Sequence, residues 1–371
     1  MAIQKITIEE FLKLSKHHPV LDVRSPGEYN YAHIPTAYSL PLFTDEERKE
    51  VGTAYKQQSR EAAIKIGLDF FGVKMRKIVE TVEAFLVSRS AEATVANEQQ
   101  AKRDVLIHCW RGGMRSAGVA WLLDLYGFKV YTLVGGYKAY RKWVLSQFEK
   151  EYNFNIIGGY TGSGKTPLLH ELIKQNKTVI DLEALANHKG SAFGALGENP
   201  QPKQEMFENL LSEKLYTISE SSKASPLGGG LEGAGIYLED ESQRIGNLQI
   251  PMPLWNTMRK APVYFLDIPF SKRLDHITEE YGKFEKEKLI EAVIRIQKRL
   301  GGLQTKNAVG FLQEGNYRDC FSILLTYYDK WYSKGLYNRE NLSSLLNKIA
   351  CVSVDTKTNT EKLLLCNIVS A

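Results

Sequence analysis

Cysteines are few in this chain, and their spacing excludes several kinds of protein. Only Cys109, Cys320, Cys351 and Cys366 occur among 371 residues, and no two form a C-x-x-C pair. Zinc-ribbon and thioredoxin-type redox chemistry therefore have no support. The spacing builds no disulfide framework, so a reducing compartment, the cytoplasm, is expected. No apolar run reaches the roughly 18–20 residues that cross a bilayer, and Met1-Ala2-Ile3-Gln4-Lys5 lacks the apolar stretch of a secretory signal. No membrane partner is expected. There is no internal repeat, which excludes solenoids. Excess charge is small as well: 48 basic against 43 acidic residues leave +5. That permits a nucleic-acid partner without requiring one.

What is present is a soluble α/β pattern of a length that favours two domains. Thr7 with Glu10 forms a capping-box signature for a helix over residues 5–16. Short apolar runs at 20–24, 105–108, 130–134, 154–157, 178–181, 235–239 and 263–267 read as strands, and the segment 33–40 as loop and strand. Helical segments lie between them at 115–126, where Gly127 is the stop, and at 137–151. This alternation implies parallel sheets. The polar segment 90–103 reads as an exposed loop. The domain expectation is 1–140, a connecting helix over 141–153, and 154–371 with a helical C-terminal part. Residues 284–300 form a charged helix, and Lys283, Lys286, Lys288, Arg295, Lys298 and Arg299 give the region a basic surface, a solvated face, a phosphate lid or an RNA contact. Residues 317–335 form an aromatic-rich helix whose stripe reads as core.

Two loops carry chemistry. The first is His108-Cys109-Trp110-Arg111-Gly112-Gly113-Met114-Arg115-Ser116. A strand delivers Cys109, and a helix starts just after it. The helix N-terminus and the amides of Gly112, Gly113 and Met114 favour an anion, and Arg111 and Arg115 add positive charge. Together they favour the thiolate, the nucleophilic form. The pattern satisfies the His-Cys-x-x-Gly-x-x-Arg-Ser signature of cysteine phosphatases. Upstream, Leu21-Asp22-Val23-Arg24-Ser25-Pro26-Gly27-Glu28-Tyr29 with Ala32-His33-Ile34-Pro35 resembles rhodanese domains, whose cysteine carries sulfur as a persulfide. Five residues separate Cys109 from Arg115, one more than in a typical rhodanese and as in the rhodanese-fold phosphatases. A wider ring of amides suits a tetrahedral anion. Sulfur transfer, phosphatase activity and a related chalcogen transfer all stay open at this point.

The second loop is Gly159-Tyr160-Thr161-Gly162-Ser163-Gly164-Lys165-Thr166, a P-loop after an apolar strand and before a helix. The backbone from Gly159 through Thr161, Gly162, Ser163 and Gly164 cradles a diphosphate. Lys165 supplies a point charge and Thr166 a hydroxyl for Mg²⁺. Pro167 sits where a helix tolerates it. Glu239, Glu241 and Asp267 end strands and are candidate metal-linked acids. Asp181-Leu182-Glu183 and His188 to Gly194 read as a substrate-side loop.

The order of these motifs resembles the bacterial tRNA 2-selenouridine synthases. The resemblance rests on the cysteine loop, on Gly135-Gly136-Tyr137-Lys138-Ala139-Tyr140-Arg141, on the P-loop and on Lys189-Gly190-Ser191-Ala192-Phe193-Gly194. It covers roughly residues 5–300 and leaves the last 70 or so without a motif. It implies an N-terminal rhodanese-like parallel sheet followed by a P-loop NTPase-like parallel sheet. It implies two steps on tRNA with 2-thiouridine at the wobble position: S-alkylation by geranyl diphosphate, then replacement of S-geranyl by selenium from selenophosphate. Cys109 matches the family's essential cysteine and would carry selenium, and the loop to Arg115 would accept selenophosphate. The P-loop would bind the prenyl diphosphate. No tightly bound cofactor is implied, with Mg²⁺ held through Thr166. Lys138, Arg141 and Lys142 are candidate tRNA contacts.

Three rivals remain at this stage. One is a rhodanese-type sulfurtransferase coupled to an ATP-using P-loop domain. The second is a cysteine phosphatase, for which no general acid is evident. The third is a nucleotide-gated binding protein, against which the intact cysteine and arginines count.

Overall fold

A computed structural model describes residues 3–92, 103–223 and 235–370. The chain divides into two compact units, Met1–Ser146 and Gln147–Ala371.

The first unit is built on five parallel strands: β1 (Gln4–Ile6), β2 (Val20–Asp22), β3 (Ala37–Ser39), β4 (Asp104–His108) and β5 (Lys129–Leu133), in the order β1-β5-β4-β2-β3. β4 lies at the centre, and Val105, Leu106 and Ile107 are fully buried. A strand covered on both faces reads as an unbroken apolar run rather than an alternation. Each such fully buried aliphatic side chain contributes about 1.5–3 kcal/mol. The capping box forms: Thr7 Oγ1 accepts the Glu10 amide and the Thr7 amide donates to Glu10 Oε2, which starts the helix Ile8–Leu14. β1 precedes it, an edge strand too short to leave a pattern in the sequence. The helix Met114–Leu125 lays Val119, Ala120 and Leu123 on the sheet. The segment expected as a loop over 90–103 begins inside the helix Met75–Glu92, and 93–102 lie outside the described residues. The connecting helix expected over 141–153 divides. Its first part belongs to the helix Gly136–Gln147, which lies in the first unit up to Ser146, and residues 148–153 are not helical.

The second unit has strands β6 (Phe154–Gly158), β7 (Ile236–Glu239), β8 (Arg244–Ile245), β9 (Leu248–Gln249), β10 (Val263–Asp267) and β11 (Leu346–Ala350). Four form a parallel sheet in the order β11-β10-β6-β7, and β8 and β9 make a small antiparallel hairpin. The strand expected at 178–181 is reduced to a single bridge, Val179 to Tyr237. Asp181 is diverted to cap the helix Leu182–Ala186, accepting the Ala184 amide at 2.7 Å. β11 comes from the segment without a motif. Only Ile349 of its five residues is buried, as suits an edge strand. Among the described residues two apolar clusters stand out in this unit. One lies on the sheet, with Ile157, Leu168, Leu172 and Leu266. The other joins the helices Phe270–Tyr281, Lys286–Arg295, Gly302–Gln313 and Tyr317–Tyr337 through Ile277, Leu289, Phe321 and Leu325. The helix expected over 284–300 is interrupted at Ile296.

Candidate functional site

In each unit a central parallel strand delivers a loop at its carboxyl end, the end at which open α/β sheets bind ligands. In the first unit, Cys109 follows β4 and is almost wholly buried. Its Sγ lies 3.2 Å from Ser116 Oγ and accepts the Gly113 amide at 3.3 Å. Burial alone pushes the thiol up. The Ser116 hydroxyl, the Ser116 and Arg111 amides and the Arg115 charge outweigh it, so the thiol sits below its ordinary value of 9.0. Arg111, Gly112, Gly113 and Met114 form the exposed lip of the loop.

The loop is shaped from behind by Gly135, Gly136 and Tyr137. The Tyr137 amide donates to Cys109 O at 2.8 Å and the Lys138 amide to Trp110 O at 3.0 Å. Gly136 has φ +58°, and a Cβ there would stand 2.3 Å from Cys109 O and 2.5 Å from Gly112 N. Only glycine fits that approach.

The upstream motif also reaches this loop. Arg24 forks onto Asp22, with both side chains buried, and stacks on the Tyr137 ring at 3.8 Å. Burial holds His108 below its ordinary value, so it packs as a neutral ring. Glu28 sits at the third position of the helix Pro26–Tyr31. It accepts the Ser25 amide at 3.1 Å and pairs with Arg115 at 2.6 Å. Burial opposes ionisation of Glu28, but Arg115 prevails and its pKa is lowered. Arg115 is thus anchored as much by Glu28 as by the loop charge expected of it.

In the second unit the P-loop follows β6 and opens the helix Lys165–Lys174. Lys165 Nζ rests 3.1 Å from Gly159 O. Gly162 has φ +81°, and a Cβ there would press to 2.8 Å from Ile277 Cγ1. Thr166 donates to Glu183 Oε2 at 2.8 Å, and the Glu183 amide donates to Glu239 Oε1 at 2.7 Å. Burial pushes Glu183, Glu239 and Glu241 upward; the Asp181 charge adds to this at Glu183 and Glu239, and the Glu183 charge at Glu239 and Glu241.

The loop floors a cavity of about 970 Å³. Trp255, Tyr281, Tyr327, Tyr328 and Trp331 form its aromatic side, with Lys189, Arg259 and Arg299 among its cations. Lys189 pairs with Glu280 at 2.8 Å, and the Ala192 amide donates to Tyr328 Oη at 2.7 Å. The segment Lys189 to Gly194 is thereby strapped to two helices, Phe270–Tyr281 through Glu280 and the aromatic helix Tyr317–Tyr337 through Tyr328.

The structure brings Thr161, Gly162, Ser163, Gly164, Lys165 and Thr166 together on one cavity. Of the three acids expected near a metal, Glu241 lines it and Glu239 and Asp267 do not. Glu239 is buried behind Glu183, and Asp267 is exposed at the end of β10. The acid that meets Thr166 is Glu183. Among the described residues no group of three or more His, Cys, Asp or Glu side chains is arranged to hold a metal ion. A Mg²⁺ ion shared with a diphosphate needs only one or two carboxylates, and Thr166 with Glu183 fits that smaller requirement.

The aromatic stripe read as core divides: Phe321, Leu324 and Leu325 are core, whereas Tyr327, Tyr328, Trp331 and Tyr332 face the cavity. Lys138, Arg141 and Lys142 lie on the helix Gly136–Gln147, with Lys138 and Lys142 exposed. Sequence reasoning missed Ser116 and Tyr332 as site residues, and it placed Glu183 on a substrate-side loop without its bond to Thr166. Ser116 stood in the cysteine motif, and Tyr332 carried no signal.

Residues 152–354 match the family described as tRNA 2-selenouridine synthase AAA domain, and residues 7–142 match the rhodanese-like domain. The tRNA 2-selenouridine synthase of Bdellovibrio bacteriovorus is 32% identical over 384 aligned residues, 91% of this chain and 94% of that protein. That of Pseudomonas putida is 33% identical, covering 76% of each chain. That of Nitrosomonas europaea is 36% identical over 71% of this chain and 63% of its own length, just short of two thirds. Among the described residues no helix is long and apolar enough to cross a membrane. A cysteine loop in a rhodanese-like domain, a P-loop in the second unit and a match to nearly the whole of a relative stand in one chain, and the chain belongs to the tRNA 2-selenouridine synthase family.

Proposed function

We propose that the protein converts 2-thiouridine at the tRNA wobble position to 2-selenouridine in two steps, each assigned to one loop. In the first, geranyl diphosphate alkylates the C2 sulfur. The S–C bond forms, the C–O bond to diphosphate breaks, pyrophosphate leaves and the nucleobase gives up its N3 proton. The observation that most favours this donor is the cavity of the second unit. It sets a phosphate loop against an aromatic wall, the two surfaces that a diphosphate with an apolar tail requires. Lys165 and the loop amides would stabilise charge on the departing pyrophosphate. Mg²⁺ held by Thr166 and Glu183 would add charge neutralisation there.

In the second step selenium from selenophosphate takes the place of the S-geranyl group. The selenium of selenophosphate attacks C2, so the C–Se bond forms, the C–S bond breaks and geranyl thiol leaves with a proton; water then cleaves the Se–P bond, phosphate leaves and N3 regains its proton. Cys109 is assigned to this step, its thiolate favoured by Ser116 and the loop amides. The five-residue spacing to Arg115 gives a ring of amides wide enough for the selenophosphate anion. Lys138, Arg141 and Lys142 are assigned to phosphates of the tRNA, whose target base would be splayed from its loop.

The test is mass spectrometry of nucleosides from a 2-thiouridine anticodon stem-loop, treated with geranyl diphosphate and then selenophosphate. Lys165→Ala is expected to lose geranylation by a hundredfold or so, a loss of ~3 kcal/mol in transition-state stabilisation. Cys109→Ala is expected to geranylate normally and yield no selenouridine. Loss of geranylation in the folded cysteine variant would defeat this division of labour. ATP hydrolysis without any prenyl mass gain would shift the reading to an ATP-using sulfurtransferase.

A further inference from the structure

The first amide of the P-loop is held by a residue 173 positions away: Gly159 N–H donates to Tyr332 Oη at 3.0 Å. Tyr332 in turn donates to Asp240 Oδ2 at 2.7 Å. A phenol has one proton, so giving it to Asp240 leaves the oxygen lone pairs for Gly159. Asp240 Oδ1 accepts from Arg339, whose side chain is buried and whose Nε and Nη1 meet no partner among the described residues. On its other side Gly159 offers its carbonyl to Lys165 Nζ. Burial and the Asp240 charge push the Tyr332 phenol far up, so it stays a donor.

The site is shaped for this hydroxyl. A Cβ at Gly158 would come within 3.0 Å of Tyr332 Oη and 2.8 Å of Val263 Cγ1. The paired glycines 158 and 159 therefore have a reason beyond the phosphate cradle: one makes room for the tyrosine, and the next is bonded by it. The ring itself is fixed edge-on against Tyr160 at 5.6 Å.

We propose that Tyr332 is a positioning residue for Lys165. The chain Arg339–Asp240–Tyr332–Gly159 holds the residue on whose carbonyl the lysine ammonium rests, and so where that ammonium stands when a diphosphate enters. Two further links join the same helix to the loop without reaching Lys165. Arg273 bridges Thr161 O, at 3.0 Å, to Asp329, at 2.9 and 2.7 Å. Tyr160 Oη and Ser333 Oγ are 3.2 Å apart. These links dock the helix on the loop, whereas Tyr332 is the one that sets the lysine's resting carbonyl.

The proposal concerns the phosphate end of the cavity and does not depend on the donor's apolar part. Inorganic pyrophosphate is therefore the probe, with affinity measured by calorimetry on the full chain. Tyr332→Phe keeps the ring but removes the acceptor of Gly159 N–H and the donor to Asp240 Oδ2, and about tenfold weaker pyrophosphate binding is expected. Ser333→Ala, which removes only a docking contact, is expected to bind within about twofold of the parent. The decisive readout is the double variant: in a Lys165→Ala background, Tyr332→Phe is expected to cause no further loss. Parent-like affinity in Tyr332→Phe overturns the proposal. So does full additivity with Lys165→Ala, because the tyrosine would then act only on general packing. A parent protein with no affinity for pyrophosphate brings down the phosphate-site reading and this inference with it. A parent that binds pyrophosphate but transfers no geranyl group defeats the donor assignment alone.

Discussion

The two loops occupy the same place in their units, the carboxyl end of a parallel strand, and are held there by different means. The cysteine loop is braced by backbone. Gly136 packs against Cys109 O and Gly112 N, and the amides of residues 137 and 138 bond the carbonyls of 109 and 110. The P-loop is braced by side chains from far along the chain, with Tyr332, Asp329 through Arg273, and Ser333 all arriving from one helix. A backbone brace tolerates no added atoms and offers nothing to adjust. A side-chain brace can be altered one hydroxyl at a time, and each member reports on a different part of the loop.

The sharpest break of this comparison is Gly136→Ala. A methyl group at 2.3 Å from a carbonyl oxygen, on a residue with positive φ, must displace the cysteine loop. A cost of about 2–4 kcal/mol is expected, from strain and overpacking together. Hydrogen exchange of the amides at 109–116 and denaturant unfolding of the chain would measure it, with selenation lost and pyrophosphate binding retained. Gly113→Ala is the control, since a Cβ there meets nothing within 4 Å and its φ is −99°. Equal damage from the two substitutions would refute the backbone brace.

The same contrast decides what could be read from the sequence. The cysteine loop was legible because its determinants are local and their residue types are unusual. Paired glycines, a cysteine at a strand end and a Thr7–Glu10 cap each announce a backbone geometry. The P-loop was legible for the same reason, but its supports were not. Tyr332 sits in an aromatic run whose spacing fits a packed helix face as well as a cavity wall. Glu183 follows a weak strand run at 178–181 that becomes a cap, so its approach to Thr166 depends on tertiary placement. β11 has too few apolar residues to stand out from a loop, and pairing with β10 alone makes it a strand. Glu239 ended a strand as expected, but burial turned it into a support for Glu183 rather than a cavity acid.

A smaller effect is expected at Ser116, whose hydroxyl lies 3.2 Å from the Cys109 sulfur of the backbone-braced loop. Its hydroxyl contributes most to offsetting the burial that raises the Cys109 thiol. Ser116→Ala should therefore move the thiol upward and reduce the thiolate fraction at neutral pH. The pH midpoint of iodoacetamide alkylation is expected to shift to higher pH, while geranylation stays unchanged. A midpoint that stays in place would mean that the loop amides, and not the hydroxyl, hold the thiolate.

The smallest effect tests the side-chain-braced loop through its buried acid. Burial first, then the charges of Asp181 and Glu183, raise the Glu239 carboxyl well above its ordinary 4.5. A carboxyl raised in the folded state binds its proton more tightly folded than unfolded. Its contribution to stability is complete below the ordinary carboxylate range and is lost as pH climbs through the raised value. Glu239→Gln keeps an oxygen to accept the Glu183 amide and removes the charge that appears at high pH. The variant should match the parent's melting temperature near pH 4 and exceed it increasingly toward pH 8. A constant difference across that range would show that Glu239 does not titrate in the folded protein. A deficit at pH 8 would show that its charge is needed there, as it would be if the acid cluster were balanced by a cation and not by protons.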